Sequence, residues 1–127
     1  MRWSVRLGTL VIGCIALLQL QGCRPGIDAC PSDRFCVWEN RDYGSHQIRW
    51  IDPQPDYRDW VWPGTNDVMD NEVSSVANTR RCHVDLFQHP DYEGAVLGIP
   101  SFAATGNLDG YTVGDNQASS HFWYFCP

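Results

Sequence analysis

This 127-residue chain contains one hexapeptide pattern twice, and a repeat of this kind restricts the folds that the chain can adopt. The pattern Asp-Asn-x-x-Ser-Ser spans residues 70–75 and again residues 115–120. Each copy follows two aromatic residues five positions apart and a nearby glycine, at lags of 32 and 28 residues from the first aromatic. One such hexapeptide is roughly a one-in-a-hundred event in a chain of this length. Two copies at similar lags therefore indicate an internal duplication, with one structural motif in each repeat.

Short runs rich in β-branched and aromatic residues, separated by Gly, Pro, Asn and Asp, follow one another after residue 34. Runs of this length with turn residues between them predict an all-β sandwich or barrel. The segment 52–65 holds three prolines, so it predicts a loop and not a central strand. The predicted strands are residues 35–39, 47–51, 73–78, 83–87, 95–99 and 121–125.

The N-terminal residues 1–22 have the pattern of an export signal. Arg2 and Arg6 precede an apolar run at 7–18 that is too short to span a bilayer comfortably. The sequence Leu-Gln-Gly-Cys that follows resembles a bacterial lipobox, which makes Cys23 the candidate lipidated residue. Ordinary signal cleavage nearby is the alternative, and an internal apolar helix is a weaker one. We expect an exported protein, either secreted or held at a membrane only through a lipid anchor.

The rest of the chain predicts one domain of about 100 residues, expected to be a monomer. We assign residues 23–34 as a short linker and 35–127 as the domain, with repeats at about 35–80 and 82–126. Residues 23–127 carry seven arginines, no lysine and 15 acidic residues, which leaves a net charge of −8. Because such a chain is a poor match for a phosphate backbone, we expect no nucleic-acid binding. Acidity of this kind suits cations or basic partners.

Four cysteines lie beyond residue 23, which predicts two disulfides in an exported domain of this size. Three pairings are open. We prefer Cys30–Cys36, because these residues flank a Pro-Ser-Asp turn, and Cys82–Cys126, because this bond would join the start of the second repeat to its end. Zinc binding is the rival use of cysteine, but no C-x-x-C pair occurs.

The repeated hexapeptide concentrates oxygen donors in one short turn. Calcium takes 6–8 oxygens and accepts carboxylate, carbonyl and hydroxyl ligands together, whereas zinc prefers nitrogen and sulfur. One hexapeptide cannot fill a calcium shell, but two that face each other could do so by exchanging ligands. The alternative is that these residues form Asx and Ser turns that satisfy backbone donors without a metal.

These patterns closely resemble the Greek-key repeat of the βγ-crystallin family, especially its calcium-binding microbial members. Phe87-x-x-x-x-Tyr92-x-Gly94 matches the family's first-hairpin signature, and both hexapeptides match its calcium motif. The resemblance covers residues 35–125. It implies an all-β fold in which two Greek-key motifs form one disulfide-stabilised βγ-crystallin-like β-sandwich.

The first repeat departs from the family signature at its hairpin. Trp38 and Tyr43 fit the two aromatic positions, but Gly44 follows Tyr43 directly and Ser45 stands where glycine is usual. We expect Gly44 to supply the positive-φ residue of this turn.

The resemblance implies up to two Ca²⁺ ions, each held by both hexapeptides. Acidic and amide side chains, the hydroxyl of the first serine and several backbone carbonyls would supply the oxygens. The second serines, Ser75 and Ser120, would bond back onto the folded hairpins. The implied ligands are Asp70, Asn71, Glu72, Ser74, Asp115, Asn116, Gln117 and Ser119, with hairpin carbonyls from Glu39 and Gln88.

A second resemblance concerns the biological role. Cys30-x5-Cys36, followed by an aromatic and an acidic hairpin, is similar to secreted actinobacterial metalloproteinase inhibitors, which share the crystallin-like fold and carry two disulfides. This similarity implies an extracellular protease as an alternative partner. The Pro- and Trp-rich segment 52–65, expected to expose Trp60 and Trp62, is the candidate partner loop. Alternatively, it only closes the first Greek key.

Four histidines raise the question of catalysis, but the chain has neither an H-E-x-x-H nor a G-x-S-x-G motif. We expect His83 and His89 to be exposed or at strand ends, and His121 to face outward beside Phe122. The sequence therefore predicts a non-enzymatic calcium-binding domain. A protease inhibitor and a purely structural surface domain without metal are the alternatives.

Overall fold

The computed structural model describes residues 24–124 and residue 126. The predicted export signal and Cys23 lie outside these residues. The described chain forms one short helix, α1 (Pro25–Ala29), seven strands, and single 3₁₀ turns at Arg41–Tyr43, Tyr57–Asp59 and Pro90–Tyr92. The strands are β1 (Phe35–Asn40), β2 (Gly44–Trp50), β3 (Ser75–Asn78), β4 (His83–His89), β5 (Glu93–Ile99), β6 (Ala103–Thr105) and β7 (Ser120–Tyr124).

The strands form two antiparallel sheets, in the orders β2-β1-β3-β6 and β5-β4-β7. Each sheet is built on the hairpin of one repeat and also receives a segment from the other repeat. β6, from the second repeat, pairs with β3, and Gln54, from the first repeat, forms a bridge with His121 in β7. This exchange is the Greek-key crossover, and it confirms the predicted all-β fold of two related motifs.

All six predicted strands are present, with ends that differ by up to three residues. β6 was not predicted, because its Ala-Ala-Thr sequence has little intrinsic preference for a strand. Its conformation is set by pairing with β3 across the repeat boundary, where Ala104 lies opposite Ala77.

The expectation that Gly44 supplies the positive-φ residue of the first hairpin is wrong. Gly44 has a φ of −103°, and the following Ser45 has a φ of 66°. Gly94 has a φ of 82° at the matching position of the second hairpin. The two hairpins are therefore equal in length, and a serine takes the conformation that glycine takes in the other repeat.

One core lies between the two sheets and draws on both repeats. Phe35, Val37, Trp50, Val84 and Leu86 are among its fully or almost fully buried members. The structure pairs Cys30 with Cys36 and Cys82 with Cys126, as predicted, with Cα–Cα distances of 5.9 and 4.4 Å.

The segment 24–34, assigned as part of a linker, packs on the outer face of the first sheet. Cys30, Cys36, Trp38 and Ala77 form a small buried cluster there, against which Ile27 of α1 packs. Gly26 is buried beneath Tyr43, and a Cβ at Gly26 would lie 2.5 Å from the tyrosine ring. The close approach of α1 therefore requires glycine at this position.

Candidate functional site

The two hexapeptides lie side by side and bond to each other with approximate two-fold symmetry. The amide of Asn71 donates to the carbonyl of Ala118 at 3.1 Å, and the amide of Asn116 donates to the carbonyl of Val73 at 3.0 Å. Both asparagines are in the left-handed region, with φ of 59° and 61°. Asparagine tolerates this conformation better than most residues. The asparagine of each hexapeptide thus directs its backbone amide to the opposite hexapeptide.

The side chains of the hexapeptides also cross between the repeats. The hydroxyl of Ser119 donates to Oδ1 of Asn71 at 3.2 Å, and the hydroxyl of Ser74 donates to Oδ1 of Asn116 at 3.4 Å. Each amide oxygen therefore lies beside a hydroxyl from the opposite hexapeptide. Four of the predicted ligands are brought together in pairs by these contacts.

The two aspartates of the hexapeptides each carry a carboxylate oxygen without a partner. Among the described residues, three buried side-chain polar atoms lack a hydrogen bond: Oδ1 of Asp70, Oδ1 of Asp115 and the indole nitrogen of Trp50. Leaving a buried acceptor unpaired costs about 1–3 kcal/mol, and more when the group is charged. Two such atoms at symmetry-related positions fit two candidate cation sites, one at each carboxylate.

One face of the paired hexapeptides forms an open depression of about 430 Å³. It combines the first hexapeptide with the second and with the turn of the second hairpin. Its lining residues are Arg58, Asp70, Asn71, Gln88, His89, Pro90, Asn116, Gln117 and Ser119. Six of the ten predicted calcium ligands therefore line this depression.

The remaining aspartate, Asp115, lies near a basic side chain. Nη2 of Arg41 is 3.6 Å from Oδ2 of Asp115 and 3.8 Å from Oδ2 of Asp109. Arg58 lines the depression near Asp70, but its guanidinium is bound by both oxygens of Asp56 at 2.9 and 2.8 Å. Each aspartate therefore has one arginine in its neighbourhood, and of these two arginines only Arg41 forms a salt bridge with its aspartate among the described residues.

The side chains of the remaining predicted ligands have other partners, which leaves their backbone carbonyls as the expected metal donors. Glu39 accepts hydrogen bonds from His46 at 2.7 Å and Ser45 at 2.9 Å, and the His46 contact lowers the pKa of its carboxyl. Glu72 accepts one from the indole of Trp62 at 2.9 Å. The side chain of Gln117 accepts one from the amide of Gly114, at 3.2 Å.

The second serine of each hexapeptide has a structural role, as predicted. Ser75 donates to the carbonyl of Asn40 at 2.7 Å, and Ser120 donates to that of His89 at 2.7 Å. Each hydroxyl also accepts an amide from the hairpin turn, that of Tyr43 or Tyr92. These bonds fix the hairpin of each repeat on its own hexapeptide.

Within residues 24–124 and 126, no cluster of three or more His, Cys, Asp or Glu side chains could hold a metal ion. Either candidate site therefore depends on mixed oxygen donors and not on carboxylates alone. In the same part of the chain, no helix is long and apolar enough to cross a membrane.

The expectation that the segment 52–65 exposes both tryptophans is wrong. Trp62 has no exposed surface and belongs to the core, and Trp60 is half-buried, with its indole donating to Gln54 at 3.0 Å. The exposed apolar side chains near them are those of Val61 and Val68, at 46% and 45% exposure. Aromatic residues in a Pro-rich segment suggest exposure at the surface, but the apolar area of a tryptophan is so large that its burial in the core is favoured.

The prediction for His121 is also wrong, whereas His89 is exposed and His83 begins β4, as expected. His121 is fully buried and accepts a hydrogen bond at Nδ1 from the hydroxyl of Tyr57, at 2.6 Å. Its Nε2 donates to the carbonyl of Asp52 at 3.2 Å. These two hydrogen bonds connect residues 52–57 of the first repeat to β7.

Comparison with known proteins gives the family. The profile described as peptidase inhibitor family I36 matches residues 24–99, which is more than half of the chain. The chain belongs to peptidase inhibitor family I36. No curated protein matches this I36 member.

Solved βγ-crystallin domains share the fold of this I36 member. A βγ-crystallin from Ciona intestinalis aligns with a TM-score of 0.60 at 14% identity and covers 72% of this chain and 99% of its own. One from an archaeon has a TM-score of 0.57 at 16% identity, over 74% and 100% of the two chains. A domain from Flavobacterium johnsoniae has a TM-score of 0.56 at 13% identity, over 71% and 92%. These likenesses establish the fold predicted from the sequence.

Proposed function

We propose that the protein is a non-enzymatic exported domain that binds calcium where its two hexapeptides meet. The observation that carries this proposal is the pair of buried carboxylate oxygens, on Asp70 and Asp115, that accept no hydrogen bond from the described residues. Both lie in loops rich in amide, hydroxyl and carbonyl oxygens, which are the donors that calcium combines. The fold and the two disulfides are consistent with an exported protein.

The ions would be shared between the repeats. The carboxylate of each hexapeptide would act with the asparagine and serine oxygens that already touch across the repeats, and with carbonyls of Glu72, Gln117, Glu39 and Gln88. A bound ion supplies a positive charge that joins two otherwise separate loops. At a hundredfold excess over Kd, one site adds about 2.7 kcal/mol to the free energy of unfolding.

Calorimetric titration of the chelator-stripped, oxidised protein with calcium tests this proposal. We expect two saturable sites. Asp70→Ala should weaken one by about tenfold or more, since it removes the only orphaned carboxylate of that loop, and Asp115→Ala should weaken the other. Asp59→Ala, an exposed acid on the same long loop, is the matched control and should leave both affinities unchanged.

The opposite results are equally clear. No heat of binding and no rise in melting temperature with calcium would show that the hexapeptides only form turns. Unchanged calcium affinity in the double variant Asp70→Ala with Asp115→Ala would show that the ions bind elsewhere.

A second candidate function, inhibition of an extracellular peptidase, is favoured by the match to family I36 over residues 24–99. Titrating a thermolysin-type zinc peptidase and a subtilisin-type serine peptidase with the protein tests it. We expect a stoichiometric loss of activity for at least one of them. Calcium is kept in large excess over both proteins, so that depletion of the metal cannot imitate inhibition.

A protein that binds calcium and inhibits neither peptidase would support the first function alone. A protein that does neither would be the purely structural domain considered from the sequence.

A further inference from the structure

The two repeats are bracketed by matching hydrogen bonds, and these show that the first repeat contains an insertion. The amides of Tyr57 and Leu108 each donate to the backbone carbonyl of the first serine in the opposite hexapeptide, at 2.9 and 3.1 Å. Further along, the amides of Asn71 and Asn116 make the equivalent cross-repeat bonds. The chain advances 14 positions between these points in the first repeat and 8 in the second. The second repeat closes its Greek key without the additional six residues.

The added length forms a hairpin at residues 61–68, which we call the inserted hairpin. Val61 and Val68 form an antiparallel bridge, and the amide of Trp62 donates to the carbonyl of Asp67 at 3.0 Å. Thr65 closes the tip: its amide and hydroxyl both donate to the carbonyl of Trp62, at 3.0 and 2.8 Å. The hydroxyl of Thr65 also accepts the amide of Asp67 at 3.0 Å. The hairpin therefore holds its own shape.

The core anchors the base of the inserted hairpin and leaves its tip exposed. Trp62 and Met69 are fully buried, and the indole of Trp62 donates to Glu72 at 2.9 Å. Val61 and Val68, opposite each other in the bridge, direct their side chains to one face of the hairpin, where each is nearly half exposed. A rigid segment of this kind loses little conformational entropy when it is bound.

We propose that the inserted hairpin is the segment that enters the substrate cleft of the inhibited peptidase, with Val61 and Val68 as its apolar contacts. This inference rests on the second proposed function. Peptidase clefts bind side chains in pockets, and a hairpin held by its own hydrogen bonds presents two exposed branched side chains to such a cleft. The second repeat has no such hairpin, and a surface segment added to one repeat is a common place for a binding surface.

Charge substitution at matched exposed valines tests the assignment. Val61→Glu and Val68→Glu each place a carboxylate on the inserted hairpin, whereas Val96→Glu, at 44% exposure on β5, is the control. The inhibition constant against the peptidase that the unsubstituted protein inhibits should rise by about tenfold or more for each hairpin variant, as for the loss of a central contact. It should change by less than about twofold for Val96→Glu.

Each outcome decides the assignment. Equal inhibition by all three variants and the unsubstituted protein would overturn the hairpin while leaving the inhibitor function intact. Absence of inhibition by the unsubstituted protein would remove the proposed function and the assignment together. If a hairpin variant fails to fold, hydrogen exchange on the unsubstituted complex decides: slower exchange at 61–68 than in the free protein supports the hairpin, and unchanged exchange overturns it.

Discussion

At the scale of single residues, His121 is a titratable group that is fully buried in the core, as is its hydrogen-bond partner Tyr57. Its ring lies between Phe35, Trp50 and Trp123, at centroid distances of 4.8, 4.7 and 4.9 Å. Burial lowers its pKa from 6.5 to about 3, although the carbonyl of Asp52 opposes the shift. The imidazole is therefore neutral at physiological pH, with its proton on Nε2 and its other nitrogen accepting from Tyr57.

This burial predicts that the protein loses stability in mild acid. Because the folded pKa lies below the unfolded one, the contribution of neutral His121 is complete above pH 6.5 and decreases as the pH falls toward 3. The free energy of unfolding should fall by at most about 1.4 kcal/mol per pH unit from this group. Urea unfolding between pH 7 and pH 4, with chelator present throughout, measures the slope.

Two controls separate His121 from the other groups. His89→Gln removes an exposed histidine and should leave the slope unchanged. An NMR titration of the His121 ring should show no protonation above pH 4, and a midpoint near 6.5 would contradict the account.

The wrong prediction for His121 has a physical cause. In the strand His-Phe-Trp-Tyr, aromatic residues occupy both faces, so alternation alone does not show which face is inward. His121 and Trp123 lie on the face toward the core, whereas Phe122 and Tyr124 are more exposed. A polar residue enters the core here because Tyr57 and Asp52 satisfy both ring nitrogens, and neither partner is adjacent to it in sequence.

At the scale of elements, the two hairpins form a natural comparison of serine with glycine in one conformation. Ser45 and Gly94 both have positive φ. A left-handed non-glycine residue costs about 1–2 kcal/mol, and the 2.9 Å hydrogen bond from Ser45 to Glu39 offsets part of that cost.

Exchanging the two residues should have opposite effects. Ser45→Gly should raise the free energy of unfolding by about 0.5–1 kcal/mol. Gly94→Ser should lower it by about 1 kcal/mol or more, since a Cβ there would lie 2.5 Å from the His89 ring and the ring must move. Thermal or urea denaturation of both variants measures the difference. A loss of stability in Ser45→Gly would mean that the Ser45–Glu39 contact outweighs the backbone strain.

Elements with local signals were predictable, and elements set by distant contacts were not. β1 and β4 have dense apolar and β-branched sequences, and both were predicted close to their observed limits. β6 forms because it pairs with β3 of the other repeat. The inserted hairpin is held in place by the burial of Trp62. The hexapeptides were predictable because the same residues recur, but the hydrogen bonds between them and the position of Arg41 could be found only from the structure.

At the scale of the molecule, the two halves are related but electrically unlike. Arg41 stands where the second repeat has Pro90, and its guanidinium lies 3.6 Å from Asp115. Arg58 lines the depression with Asp70, but in the described chain it forms no salt bridge with Asp70, and both oxygens of Asp56 bind its guanidinium. The site that contains Asp115 should therefore bind calcium more weakly than the site that contains Asp70.

Removing this charge should reduce the difference between the two sites. Because Arg41 is about half exposed, its interaction with Asp115 is screened and corresponds to about 0.2–1 kcal/mol. Calorimetry of Arg41→Gln should show the weaker calcium site strengthened by up to about fivefold. Arg49→Gln, an exposed arginine on β2, controls for the change in net charge. Equal effects of the two substitutions would assign the difference to overall charge and not to Arg41.

Glu72 belongs to two parts of the molecule at once. Its backbone lies in the first hexapeptide, and its carboxylate holds the indole of Trp62 at the base of the inserted hairpin. If calcium changes the affinity for a peptidase through this shared residue, the peptidase must change the affinity for calcium by the same factor. The ratio of inhibition constants with and without calcium should therefore equal the ratio of calcium affinities with and without the peptidase.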